Sequence, residues 1–422
     1  MLEQLYPHFL SSTGICTDTR KIEKGNLFFA LKGGNFNGNK FAKKALDDGA
    51  SFAIIDEIEY KEDDRFILVE EVLTALQQLA TYHRDQLDIP IIAITGTNGK
   101  TTTKELLHAV LSTTFETYAT AGNFNNHIGV PLSLLSIKKE HEIAIIEMGA
   151  NHTKEIEAYC QWAKPTHGLI TNIGSAHLEG FGSLEGVIKA KTELYQYLQE
   201  NNGTVFYNVE DDLLTEKSES ISSRKNYGFS NKADFSFTIK KDFPCVSIKI
   251  NDTVIQSNLF GSYNATNIAT ALAVSSFFDV KNENAKKGIE NYFPANNRSQ
   301  IIEREGQTII LDAYNANPTS MTAALHSFAK MECKKAVFLG DMFELGDSSD
   351  KEHHAIADLT NTLIFDKIVL VGKAFESPAK KIDAIHFETS EEAKFWYQTS
   401  NLENFAILIK GSRGMKMERI ID

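Results

Sequence analysis

Between Ile91 and Glu105 the chain reads IIAITGTNGKTTTKE, and few folds accommodate such a run. Ile91, Ile92, Ala93 and Ile94 are apolar without polar alternation, as a strand buried on both faces of a parallel sheet requires. Gly96 and Gly99 let the backbone bend tightly and bring the N–H groups of the Gly96-Thr97-Asn98-Gly99 turn close to an anion. Lys100 adds a point charge, and Thr101, followed by Thr102, offers a hydroxyl suited to Mg2+. The stretch reads as a phosphate cradle of the form G-x-x-G-K-T. It is shorter than the common G-x-x-x-x-G-K-[ST], which would need glycine where Ile94 stands. A glycine turn that merely carries a lysine is the competing reading, and the strand, the lysine and three threonines in order weigh against it.

The chain has 422 residues, more than one ordinary core holds, and about three domains are expected. Its apolar content of 42% and charged content of 23% are those of a globular protein. The net charge of −13 argues against a general nucleic-acid binder, so phosphate recognition must be local. Cys16, Cys160, Cys245 and Cys333 form no C-x-x-C pair, which disfavours zinc and a disulfide framework and points to a reducing cytoplasm. MLEQLYPHFL lacks a basic segment followed by an apolar core, and no apolar run approaches the ~20 residues of a spanning helix. Secretion and membrane insertion are not expected.

Along the chain, NLFFAL and SFAIID flank a glycine and asparagine loop, GGNFNGN, and a helical stretch from Val72 to Arg84 leads to DQLDIP. This predicts a first α/β domain over 1–87, with a linker near 85–89. EIAIIE, HGLITNI and TVFYNV then alternate with helical segments as in a doubly wound parallel sheet, predicting a central domain over 88–297. From Gln300 the alternation resumes in TIILDAY, KAVFLGD, KIVLVG and FAILIKGS, a smaller Rossmann-like sheet over 298–422. The charged run KSESISSRK reads as a solvated connection.

Ligands of open parallel sheets sit beyond the carboxyl ends of the strands, which directs attention to residues just after each strand. Glu147 closes EIAIIE and is the stronger candidate for Mg2+; an ordinary exposed strand-end glutamate is the alternative. His177, in GSAHLEGFG, is weaker, because Mg2+ prefers oxygen and such a histidine more often only forms hydrogen bonds. In SLEGVIKAKTELYQYL, 100° per residue sets Val187, Lys191, Leu194 and Leu198 on one face and Lys189 opposite. Pattern alone favours a Lys191 stem snorkelling to water, and proximity to Glu147 and His177 favours a functional role. Asn267, in GSYNATNIATALAV, suits a purine edge or a helix cap, and by itself the cap is the simpler reading. Arg298 suits a nucleotide or a surface carboxylate. LDAYNANPTSM, LGDMFELGD and IKGSRGMK place polar clusters at strand ends of the last sheet, as a ligand crevice or as turn and cap residues.

With these segments in view, the chain resembles the Mur ligase family over nearly its whole length. The motifs that carry the resemblance are GTNGKTTTKE, TAGNFNNHIGVP, EMGANHTKEI, NIGSAHLEGFGS with KAKTE, YNATN, DAYNANPTSM, LGDMFELG and KGSRGMKME. The cradle alone is shared with folylpolyglutamate synthases, whereas TTTKE, AHLEGFGS, YNANPTSM and LGDMFELG look like the dipeptide-adding branch.

The resemblance implies an ATP-dependent amide ligase that adds D-alanyl-D-alanine to UDP-N-acetylmuramoyl-tripeptide through an acyl phosphate, in cytoplasmic peptidoglycan precursor synthesis. It implies three domains, binding in turn UDP, ATP, and nucleotide with dipeptide. A monomer is expected, and because phosphate and UDP residues fall in the first two domains while Asp312 to Asn317 fall in the third, the third domain is expected to swing onto the second about a hinge between Phe293 and Gln300. By motif, Thr19 and the loop Gly34, Asn35, Phe36 would face UDP, and Asn123, Asn125 and Asn126 the muramoyl part. Thr101 and Glu147 would hold Mg2+, with His177 on a second ion. Asn267, Arg298 and Asp312 would contact the nucleoside, and Tyr314, Asn315 and Asn317 the nucleotide and dipeptide side. Lys191 matches a lysine that is carbamylated in the family. The sequence departs from the family pattern at Tyr263, at Asn37-Gly38-Asn39 and at Leu311. Two rivals stand beside this reading: a ligase of the superfamily with a different amine, and a nucleotide-binding switch that has lost ligation. Lys100, Glu147, His177 and Lys191, all present, argue against the switch.

Overall fold

The computed structural model describes residues 2–174, 178–304 and 306–422. Three main sheets follow one another along the chain, in the expected mixed α/β class, and two small antiparallel ones accompany them among the described residues. In the first, Ile15–Cys16, Leu27–Phe29, Phe52–Ile55 and Phe66–Leu68 run parallel in that order. The second has seven parallel strands in the order Phe235–Ser236, Arg224–Gly228, Thr204–Asn208, His167–Ile170, Ile91–Thr95, Ile143–Glu147, Thr117–Ala119. The cradle strand Ile91–Thr95 is thus central, with all five residues buried, which is why its sequence shows no alternation. Register sets Ile94 beside Glu147 and Thr95 beside Ile170, so the loops after these three strands emerge together at one sheet edge.

The third sheet runs Gln300–Arg304, Gln307–Asp312, Phe405–Lys410, Lys334–Gly340, Lys367–Val371, Ile385–Phe387. It is parallel except for the first strand, which turns back antiparallel against the second.

Two features differ from the sequence reading. Thr238–Lys241, Cys245–Ile250 and Thr253–Phe260 form a three-stranded antiparallel sheet that strand-helix alternation did not anticipate. The run read as a solvated connection instead ends the helix Asp212–Ser218, with Ser218 fully buried, and begins the strand Arg224–Gly228.

The helix Val72–Arg84 belongs by sequence to the first sheet but docks on the second. Its Leu76 and Leu79 share one apolar cluster with Leu27 and Ile54 of the first sheet, Ala93 and Ile146 of the second, and Leu194 of the helix Leu184–Glu200. Arg84 is 7% exposed, and its guanidinium is satisfied by the carbonyls of Ala163 (2.9 Å), Leu87 (2.6 Å) and Lys164 (3.2 Å). A buried cation bonded to three carbonyls costs far less than an unpaired one and ties the two sheets in one orientation. No helix among the described residues is long and apolar enough to cross a membrane.

His167, at the start of its strand, packs against Phe206, Phe277 and Phe278, with ring centroids 6.2, 5.4 and 5.0 Å away. Burial there pushes its pKa down to about 4. The unfolded chain therefore takes up a proton on this group below pH ~6.5 while the folded chain does not. Its contribution is intact above that pH and shrinks as pH falls toward 4. The loss amounts to about 2 kcal/mol by pH 5. His167→Phe should lose less thermal stability than the wild type between pH 7 and 5; parallel pH dependences in the two melting series would refute this.

Candidate active site

The cradle is built by backbone geometry that only glycine satisfies. Gly96 has φ +143° and Gly99 φ +82°; a Cβ would lie 2.0 Å from Thr171 Oγ1 at the first and 2.5 Å from Asn267 Oδ1 at the second. The helix Lys100–Leu111 starts directly after Gly99, and no side chain caps it. Its first N–H groups face the loop, as an anion site needs. The loop is braced from the next strand: Thr97 N–H donates to Asn172 O (2.9 Å), and Thr97 Oγ1 and the Gly174 N–H meet at 3.0 Å. Lys100 Nζ folds back onto the carbonyls of Gly96 (2.6 Å) and Thr97 (3.0 Å). Burial lowers its pKa to about 8, with nearby Glu147 opposing the shift and Arg298 adding to it.

Glu147 is 1% exposed, which excludes an ordinary surface glutamate. Its Oε1 accepts from Thr101 Oγ1 (3.2 Å) and Asn125 Nδ2 (2.8 Å), whereas Oε2 is buried and has no hydrogen-bond partner among the described residues. An unpartnered carboxylate oxygen beside a cradle hydroxyl fits a divalent cation. Mg2+ takes one or two protein oxygens and completes its shell with phosphate oxygens and water. Among the described residues no group of three or more His, Cys, Asp or Glu side chains is arranged to hold a metal by protein ligands alone. Lys104, fully buried, supports the same corner: its Nζ donates to Thr120 O (2.5 Å), while Thr120 Oγ1 accepts from the Glu147 N–H (3.0 Å).

A cavity of about 920 Å³ opens over the cradle, and both the second and third sheets line it. It brings together Thr97 to Thr102, Asn123, Asn125, Asn126, Glu147, Asn267, Arg298, Asp312, Tyr314 and Asn315. Asn126 also caps the following helix through the N–H groups of Ile128 (3.1 Å) and Gly129 (2.8 Å). Asn267 is not a cap: its Oδ1 accepts from Thr103 Oγ1 (3.2 Å) and its Nδ2 donates to Asn264 Oδ1 (2.9 Å), fixing the two central helices together. Asp312 accepts from Lys410 Nζ (2.6 Å) and the Ser299 N–H (3.1 Å). The Arg298 guanidinium stacks 3.6 Å from the Tyr314 ring centroid, so its partner is an aromatic face, not a surface carboxylate.

Other expected residues lie outside this cavity. Asn317 caps the helix Pro318–Ala329 and reaches Asn98 behind it. Thr19 and the exposed Gly34, Asn35 and Phe36 are on the first sheet's own surface, where Phe36 stacks on Phe41 at 5.3 Å. There Asn39 is buried and bonded to Asp56, its Nδ2 donating to Asp56 Oδ1 (2.8 Å) and its Oδ1 accepting from the Asp56 N–H (3.0 Å). Lys191 is 2% exposed, with Nζ 5.6 Å from the Phe181 ring centroid, while Lys189 on the opposite face is exposed. The snorkelling alternative is thereby excluded for Lys191. Its pKa falls to about 7, chiefly through burial and then through Lys100. His177 lies outside the described residues.

Several wall residues were not named individually in the sequence reading, although the segment IKGSRGMK that holds two of them was marked as part of a ligand crevice. Asn172 ends HGLITN, Lys410 closes FAILIK and Arg413 follows in KGSR, all polar residues at strand ends and findable by the rule that located Glu147. His127 and His152 sit in loops and Glu155 opens the helix Glu155–Ala163, with no such signal.

Three family models match the chain: "Mur ligase family, catalytic domain" over residues 11–84, "Mur ligase middle domain" over 94–275, and "Mur ligase, glutamate ligase domain" over 297–413. The chain is 36% identical over 423 residues to the UDP-N-acetylmuramoyl-tripeptide–D-alanyl-D-alanine ligase of Bacillus subtilis (strain 168), covering 97% of this chain and 92% of that one. Among solved structures, MurF from Acinetobacter baumannii superposes with a TM-score of 0.87 at 33% identity, over 100% of this chain and 97% of that one. The MurF ligase from Thermotoga maritima in complex with ADP superposes with a TM-score of 0.83 at 26% identity, over 98% and 97%.

Proposed function

We propose that this chain, which belongs to the Mur ligase family, joins D-alanyl-D-alanine to UDP-N-acetylmuramoyl-tripeptide with cleavage of ATP to ADP and phosphate, in peptidoglycan precursor synthesis. The observation that carries the reading is one cavity in which the phosphate cradle, a Glu147 oxygen with no hydrogen-bond partner among the described residues and the strand ends of the third sheet face one another.

The terminal carboxylate of the tripeptide attacks the γ-phosphate of ATP, forming an acyl phosphate and releasing ADP. The dipeptide amine then attacks the acyl carbon, the amide bond forms and phosphate leaves. In the first step the chain's task is to hold phosphates still and neutralise charge, which is where phosphoryl transfer draws most of its acceleration. Lys100 and the first N–H groups of its helix receive the phosphates. Thr101 and Glu147 would hold Mg2+, which when bound would supply positive charge to the phosphate oxygens. Asn267, Arg298 and Asp312 face the nucleoside. Asn123, Asn125 and Asn126 take the muramoyl part, while Thr19 and Gly34 to Phe36 take UDP. Tyr314, Asn315 and Asn317 serve the nucleotide and dipeptide side.

The division into residues 1–87, 88–297 and 298–422 follows these roles. Lys191 acts as a carbamate, its buried and readily deprotonated amine supporting that reading, and His177 joins it on a second ion. The enzyme works as a monomer in the cytoplasm.

The test is ADP release with each substrate omitted in turn. Sustained release should need ATP, the UDP-linked tripeptide and the dipeptide together. Rapid steady-state release without dipeptide, or with another amine in its place, would overturn the assignment.

A further inference from the structure

The cradle and the third sheet touch through two asparagines 219 positions apart. Asn317 Nδ2 donates to Asn98 Oδ1 at 2.8 Å, and Asn98 Nδ2 lies 3.4 Å from Asn317 Oδ1. Each amide is aimed by its own unit before the two meet. The Asn98 peptide is gripped on both sides: its N–H donates to Asn172 Oδ1 (3.0 Å), and its carbonyl accepts from Asn172 Nδ2 (2.9 Å) and Thr171 Oγ1 (2.6 Å). With the backbone so held, the side chain projects away from the second sheet.

Asn317 is 5% exposed, its N–H donates to Ser320 Oγ (3.1 Å), and its Oδ1 accepts the Ser320 N–H (2.9 Å). The cap uses one lone pair of Oδ1, and Nδ2, free of the cap, makes the shorter of the two bonds across. Between the two units, Asn296, Asn297 and Ser299 adopt φ of +58°, +59° and +47°, a left-handed stretch that side chains other than glycine rarely hold without support.

We propose that Asn317 and Asn98 are positioning residues, a latch that registers the third unit directly on the phosphate cradle for attack by the incoming amine; this deepens the ligase reading and rests on it. Gly96, Thr97, Gly99 and Lys100 surround Asn98, so the latch measures the third unit's position from the loop that holds the phosphates. A displacement of one ångström at a reacting pair costs heavily in rate, which gives such a reference point value. The contact exists only in the docked arrangement and biases the chain toward it.

Asn317→Ser separates the latch from the cap, because serine caps a helix but has no amide to reach Asn98. The variant should melt like the wild type and bind the UDP-linked tripeptide with unchanged Kd. Its kcat/KM for the dipeptide should fall about fivefold to tenfold, the scale of one hydrogen bond lost. Asn98→Ala should show a similar fall, and the double variant no more than the larger single one, since both remove the same bond. Small-angle scattering with ATP analogue bound should show a larger radius for Asn317→Ser than for the wild type. Wild-type kcat/KM in Asn317→Ser, additive losses in the double variant, an equal loss of affinity for the UDP-linked tripeptide, or unchanged scattering would each overturn the latch. If the wild type releases no ADP with these substrates, the ligase reading fails, and scattering still decides the latch.

Discussion

Lys100→Ala is expected to lower ADP formation by about a hundredfold to a thousandfold, the cost of removing one preorganised charge from a transferring phosphoryl group. The protein should remain folded. The Lys100 ammonium is half-buried and held by two loop carbonyls, and the burial lowers its pKa to about 8. Alanine removes an ammonium that burial disfavours, so the melting temperature should not fall with the activity. The same pKa sets a pH dependence. An arriving phosphate favours the charged form and raises the pKa, so nucleotide affinity is full below about pH 8 and declines above it. Steady-state turnover and nucleotide titrations across pH 7 to 9 measure both effects. Turnover near the wild-type rate, or the wild type's alkaline loss of affinity persisting in the variant, would remove Lys100 from the cradle.

Much of the frame was legible because burial writes itself into composition. Ile91–Thr95 and Ile143–Glu147 are buried along their whole length, and their unbroken apolar runs ending in a polar residue marked both the sheet and its ligand edge. The helix Val72–Arg84 and the buried face holding Lys191 follow from 3.6-residue periodicity in the same way.

The antiparallel sheet escaped because its edge strand Thr238–Lys241 is exposed at every position and carries no alternation. Its cross-strand pairing, which defines it, has no local spelling. The Asn98 and Asn317 contact escaped for a related reason. Asn98 reads as a turn residue and Asn317 as a cap; both readings are correct and neither exhausts the side chain. Asparagine carries donor and acceptor on one amide, so one half can serve the local turn while the other makes a tertiary bond. Lys410 illustrates the remaining case: a lysine closing an apolar strand signals a buried partner, but only the fold identifies Asp312 and the Asn315 carbonyl.

The proposed carbamate at Lys191 gives the other large effect. A bare ammonium there is held in apolar surroundings within the field of Lys100, and burial followed by that repulsion lowers its pKa to about 7. A large fraction is then neutral amine near pH 7, the form that attacks CO2. The Nζ–C bond forms, one proton leaves to water, and a neutral group becomes an anion with two oxygens. That change turns the repulsion from Lys100 into attraction and creates a ligand type suited to a hard cation. Lys191→Ala should therefore stay folded and lose at least about a hundredfold in turnover, on the scale of other lost charge-stabilising groups. Formate or acetate in excess should restore part of it by supplying the missing carboxylate. Lys191→Ala with no rescue would leave the loss to packing alone. Lys189→Ala is the control, since its side chain is exposed on the opposite face of the same helix and its loss should leave turnover nearly unchanged. A carbamate also has its own signature, a 13C resonance that appears when the active protein is equilibrated with 13CO2 and is absent from Lys191→Ala. Equal losses in the two lysine variants, or an active Mg2+-loaded enzyme without that resonance, would rule the carbamate out.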